Sequence, residues 1–160
     1  MTLDIEKSLR IERITSTDRI PFDLLLLADE TMEAIERYVN DSDIYVAKQH
    51  NSCNPVAVFV FQLLNPVELE IKNIAVAENF QGNGVGSWLI KKIWQIAMQY
   101  GRAIIWVGTP DCASREISFY EKNGFKKAGM KKNFFIDNYP DPIFDNGVQL
   151  TDMVMLKMEI

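Results

Sequence analysis

The sequence predicts an α+β (α/β-layered) domain, with a central sheet of about six to seven strands flanked by helices. Three observations carry that expectation. Runs rich in Val, Ile and Phe alternate along the chain with amphipathic segments of helical period. One such run leads through a glycine-dense turn straight into the longest amphipathic segment, a strand–turn–helix unit. The chain has 160 residues, 22 acidic and 17 basic, for a net charge of −5; 48% are hydrophobic and 24% charged, as in a folded domain. No repeat, low-complexity tract or linker interrupts it, so residues 1–160 are expected to form a single domain.

Leu9–Ile14 mixes apolar and charged residues in the manner of a short strand. Pro21 suits a first helical turn and opens a segment running through Ala28, and Thr31–Val39 continues as a second helix. Ile44–Lys48 and Val56–Leu64 are β-rich runs joined by the polar stretch Asn51–Pro55, a hairpin pattern. After an Asn65–Pro66 turn, Val67–Ala77 reads as a long strand, with Leu69 and Ile71 alternating against Glu68, Glu70 and Lys72. Gln81–Gly86 is the glycine turn. Ser87–Tyr100 then places Leu89, Ile93, Ile96, Ala97 and Tyr100 on one helical stripe, and Gly101 stops it. Ala103–Gly108 reads as a buried strand, and Ala113–Asn123 as a helix closed by Gly124. Phe125–Met130 and Val148–Met158 read as closing strands, joined by a loop rich in proline and aspartate.

Several classes of function are excluded at this point. No apolar run approaches the roughly 20 residues that span a bilayer, and the N-terminus lacks a signal-peptide core, so a cytoplasmic protein with no membrane partner is expected. Cys53 and Cys112 form neither a disulfide framework nor a metal spacing, and His50 is the only histidine, so no metal is expected. A net acidic chain has no general attraction for nucleic acid.

The strongest chemical signal is Gln81-Gly82-Asn83-Gly84-Val85-Gly86 between a strand and a helix. Its glycines let the backbone approach a ligand and aim successive N–H groups at one point, and the helix dipole favours an anion there. A P-loop would continue Gly-Lys-Ser/Thr, and a dinucleotide fingerprint would read G-x-G-x-x-G after a first strand; neither occurs. Alone, the turn is equally a tight structural loop.

The surroundings decide. Ile74-Ala75-Val76 followed by Gln81-x-x-Gly84-x-Gly86 resembles the acetyl-CoA motif of the GNAT acyltransferases, and Tyr120-x-x-x-Gly124-Phe125 resembles that family's second landmark. The 39-residue separation of Gln81 and Tyr120 leaves room for the helix, strand and helix the family requires. The resemblance implies the GNAT fold with its mixed central sheet, and acetyl-CoA as co-substrate. It places the diphosphate on amides from Gly82 through Asn83, Gly84, Val85 and Gly86 to Ser87, and the pantetheine arm along Ile74, Ala75 and Val76, the Val76 amide polarising the thioester. Asn83 stands where relatives often carry Arg or Lys; Lys91, Lys92 and Lys122 are either compensating charges or solvated helix faces. Tyr120 is implied as the proton donor to the CoA thiolate, and Glu70 as a base acting through water. Asp111, where relatives often have asparagine, is either a contact to the cofactor arm or a turn residue before the next helix. Cys112 has no basic surround and is not read as a nucleophile.

In the loop, Tyr139, Asp141 and Asp145 are candidates for contacting a cationic acceptor. The implied reaction is direct acetyl transfer to a primary amine, most simply a small cationic one. A protein N-terminal or lysine acetyltransferase and a non-catalytic acyl-CoA-binding module remain alternatives, and a homodimer is left open.

Overall fold

Asp4 accepts a hydrogen bond from the Lys7 backbone N–H and so starts a single helical turn, α1 (Ile5–Ser8), in the computed structural model, which describes residues 4–160. Then follow β1 (Leu9–Arg13), α2 (Phe22–Leu25), α3 (Met32–Glu36), β2 (Asp43–Gln49), β3 (Pro55–Leu63), β4 (Glu68–Val76) and α4 (Val85–Gln99). The remainder is β5 (Ile104–Pro110), α5 (Ser114–Lys122), β6 (Lys126–Lys131), α6 (Phe134–Asp137), β7 (Phe144–Asp145), β8 (Val148–Gln149) and β9 (Met153–Glu159). A mixed seven-stranded sheet runs in the order β1-β2-β3-β4-β5-β9-β6, and β7 and β8 form a separate hairpin.

Contacts divide the chain into two units, the first reaching to Leu63 and including Ile71–Ile96, the second comprising Leu64–Glu70 and Ala97–Ile160. In the first unit β1, β2 and β3 are successively antiparallel. Val56–Phe61 of β3 are all buried, as expected of a strand covered on both faces. The core gathers Leu24, Leu25, Ile35, Val46, Val58, Val60 and Ala75. The two expected helices exist but are shorter: the chain turns after Leu25, whose carbonyl takes the amides of Ala28 and Asp29, and Thr31 restarts it by capping Ala34 N–H at 3.1 Å.

In the second unit β9 lies between β5 and β6, antiparallel to both. Every residue of β6 is exposed, and Lys126, Lys127 and Lys131 stud this edge strand, a pattern that discourages edge-to-edge pairing. The expected strand Val148–Met158 is interrupted at Leu150–Asp152. There the backbone serves the preceding loop instead, Leu150 N–H donating to Ile143 and Phe135 N–H to Thr151. No helix among the described residues is long and apolar enough to cross a membrane.

Candidate active site

The glycine turn is built by backbone conformation. Gly82 and Gly84 adopt φ of 78° and 82°, in the region where a side chain is strained. The side chain of Asn83 donates to the carbonyls of Phe80 and Gln81, closing the turn upon itself, while Gln81 Nε2 donates to the Val76 carbonyl at 2.9 Å and ties the turn to the end of β4. The first intrahelical bond of this unit is Trp88 N–H to Gly84 O, so the amides of Val85, Gly86 and Ser87 precede the ladder and have no intrahelical acceptor. Together with the helix dipole they form a surface for an anion.

A support the sequence did not announce comes from α1. Glu6 accepts the Trp88 indole N–H at 3.0 Å and pairs with Lys92 at 3.5 Å, and a Cβ at Gly84 would stand 3.6 Å from Ile5. The indole bond, with Lys92 beside it, holds the Glu6 carboxyl below its usual range. Lys92 also lies over the Trp88 ring, and Lys91 is exposed, so Lys92 is engaged by its own helix neighbourhood.

Along β4, Leu69, Ile71 and Ala75 are buried and Glu68, Lys72, Ile74 and Val76 are half-buried, the alternation expected. Two residues depart from it. Glu70, expected with the polar set, is only 9% exposed, a burial that suits a carboxylate acting away from bulk water. Asn73 occupies a core position of the apolar face and is buried. The signal for it was present as a polar residue in register with Leu69, Ile71 and Ala75. Glu68, by contrast, is committed to structure. Its carboxylate accepts from Asn65 at 2.6 Å and the Trp106 indole at 3.0 Å, and these bonds lower its pKa.

In the second unit Tyr120 sits on α5 with its ring edge-on to Phe119 and to Phe125. It is 7% exposed; burial, aided by Glu116 one turn away, raises its pKa well above the usual phenol value. The phenol therefore holds its proton throughout the neutral range. Asp111 is exposed, and its amide donates to Asp152 O; the N-cap of α5 is Ala113, so Asp111 is not the cap. The thiol of Cys112 is pushed up, first by burial and then by Asp111, Asp145 and Glu116, so it is no poised nucleophile.

The loop is more ordered than a proline–aspartate run suggests. Phe135 is buried and stacks on Tyr139 at 5.7 Å, fixing that half-buried ring. Asn146 and Gly147, both with positive φ, make the tight turn between β7 and β8. Asp141 and Asp145 are exposed. Among the described residues no group of His, Cys, Asp and Glu is arranged to hold a metal ion.

The sheet and the strand–glycine turn–helix unit define the class as an N-acyltransferase fold. The chain belongs to the GNAT acetyltransferase family: the family model for the acetyltransferase (GNAT) domain matches residues 40–127. The uncharacterized N-acetyltransferase YvbK of Bacillus subtilis is 33% identical over 154 residues, covering 96% of this chain and 98% of that protein. A GNAT family acetyltransferase from Elizabethkingia anophelis, solved with acetyl-CoA bound, superposes with a TM-score of 0.90 at 38% identity, covering 96% of this chain and 99% of that one. A Bacillus subtilis acetyltransferase solved with CoA superposes with a TM-score of 0.84 at 34% identity, covering 95% and 99%.

Proposed function

We propose that the protein, as one catalytic domain acting in the cytoplasm, transfers acetyl from acetyl-CoA directly to a primary amine, with a small cation as its preferred acceptor. The observation that carries the donor assignment is the set of unspent amides where α4 leaves the glycine turn, taken with the acetyl-CoA and CoA bound by the two solved relatives. The acceptor assignment draws on Asp141 and Asp145, exposed on the loop that the Phe135–Tyr139 stack holds, since exposed carboxylates attract cations.

The roles follow from the chemistry. The amides of Gly82 to Ser87 take the diphosphate, and the backbone of Ile74–Val76 takes the pantetheine arm as an added strand. An aliphatic amine with a pKa near 10.4 is only about one part in a thousand neutral at pH 7.4, a cost of about 4 kcal/mol. Glu70 accepts that proton through water. The neutral amine attacks the thioester carbonyl, the Val76 N–H stabilises the oxyanion, and the C–S bond breaks as Tyr120 protonates the departing thiolate; the second proton lost by the attacking nitrogen returns through solvent to Tyr120. Asp111 borders the arm, and Tyr139, Asp141 and Asp145 meet the acceptor.

Thiol release from acetyl-CoA across a panel of polyamines, amino acids and peptides tests the reading, with acetylated product confirmed by mass. Turnover is expected, greatest with small cationic amines. Tight CoA binding with no release on any amine would overturn it in favour of a regulatory acyl-CoA-binding module, and preference for peptides would overturn the acceptor assignment.

A further inference from the structure

Asn73 is 5% exposed, at a core position among Leu24, Leu25, Ile35, Tyr38 and Ala75. Both of its amide protons are spent. Nδ2 donates to the Leu25 carbonyl at 2.9 Å and to the Tyr38 hydroxyl at 3.1 Å. Tyr38 donates onward to Asp29 Oδ2 at 3.0 Å, and Asp29 Oδ1 accepts from Glu30 N–H at 2.8 Å. The carboxamide oxygen of Asn73, however, is buried and meets no donor. A buried acceptor left in that state costs stability.

The partners of Asn73 do not require it. The Leu25 carbonyl also accepts the amides of Ala28 and Asp29, at 3.2 and 3.0 Å, and the Tyr38 proton is given to Asp29. Leucine, with the same branched heavy-atom skeleton though bulkier methyl groups, would remove the lone acceptor in this apolar surround and strand no donor. Stability therefore gives no reason for an amide at this position, and residues kept against stability are characteristic of functional sites. The capacity left over is that of an acceptor alone, so the group that matches it is a hydrogen-bond donor.

We propose that Asn73 is a positioning residue for the acceptor, its Oδ1 taking one N–H of the incoming amine when the α2–α3 arm shifts to admit it. The inference rests on the N-acetyltransferase reading. Asn73 immediately precedes Ile74 and Val76, the stretch assigned to the thioester end of the donor. A carbonyl oxygen suits the task because it binds an N–H and leaves the nitrogen lone pair free to attack. The turn that Asn73 clamps at Leu25 continues into Leu26, Leu27 and Met32, exposed by 42%, 47% and 37%, an apolar lip for the hydrocarbon body of an amine.

Asn73→Leu tests this, using the best amine found with the wild-type protein. The expected result is an unchanged or raised Tm, an acetyl-CoA Kd within twofold of wild type, and a KM for the amine raised roughly ten- to hundredfold, the effect of losing one hydrogen bond to an amine or ammonium. Wild-type KM, or a parallel loss of acetyl-CoA affinity as a general structural role would cause, overturns it. Should the leucine variant not fold, Asn73→Ala gives the same KM-against-Kd comparison. Absence of amine turnover by the wild-type protein would instead defeat the N-acetyltransferase reading, and this inference with it.

Discussion

The glycine turn and the loop between β6 and β9 offer groups for opposite charges by opposite means. The turn presents backbone amides, fixed by positive φ at Gly82 and Gly84 and braced by Gln81 and Asn83. The loop presents exposed side chains, Asp141 and Asp145, on a frame made by the Phe135–Tyr139 stack and the Asn146–Gly147 turn. A site made of backbone amides does not titrate, and is strained when a Cβ is added at positive φ. A site made of carboxylates titrates, is screened by salt and can be retuned by single substitutions. That division suits an enzyme whose donor is anionic and whose acceptor is, as proposed above, a cation.

The comparison can be broken at several points. The largest effect is expected from a change that spares both regions. Tyr120→Phe should lower kcat about a hundredfold while leaving the acetyl-CoA Kd and the amine KM nearly unchanged, measured by steady-state kinetics and calorimetry. Full turnover would remove Tyr120 from the mechanism. Next comes the turn itself. Gly84→Val forces a branched side chain into left-handed backbone facing Ile5, and the strain of about 1–2 kcal/mol or more should weaken acetyl-CoA binding at least about tenfold, with little change in amine preference.

Smaller effects are expected from the loop. Asp141→Asn with Asp145→Asn should raise KM for a cationic amine about two- to fivefold, the scale of exposed charge pairs, and leave a neutral-bodied amine unaffected. The difference should vanish at high salt; if it persists, the aspartates act by shape. The smallest concerns pH. Glu6 and Glu68 have folded pKa values below their unfolded ones, so their contribution is present above the unfolded pKa and is lost as pH falls through the folded values. Tm should hold steady above about pH 5 and decline below it, and Glu6→Gln should flatten part of that decline.

The same contrast governs what could be read from sequence. Glycines at 82 and 84 announce themselves, because few other residues accept those dihedral angles, and the strand and helix on either side follow from period. The Tyr120 landmark is local for the same reason. Glu70 and Asn73 were harder: alternation set their faces, but the burial of Glu70 leaves no local signal, and the partners of Asn73, the Leu25 carbonyl and the Tyr38 hydroxyl, lie more than thirty residues away in sequence. The brace from Glu6 to Trp88 joins residues 82 positions apart and leaves no local pattern. In the loop, prolines and aspartates signalled a turn-rich connection, whereas α6 and the β7–β8 hairpin depend on Phe135 and Leu150 being buried. Chemistry fixed by backbone conformation was legible; chemistry assembled by long-range contacts was not.

The central claim is that an anionic acyl carrier is held by the backbone of the glycine turn. A crystal structure of the protein with CoA tests it most directly. The account requires the diphosphate oxygens within hydrogen-bond distance of amides between Gly82 and Ser87, with no lysine needed to hold them. A diphosphate seated on lysine side chains away from the turn would contradict it.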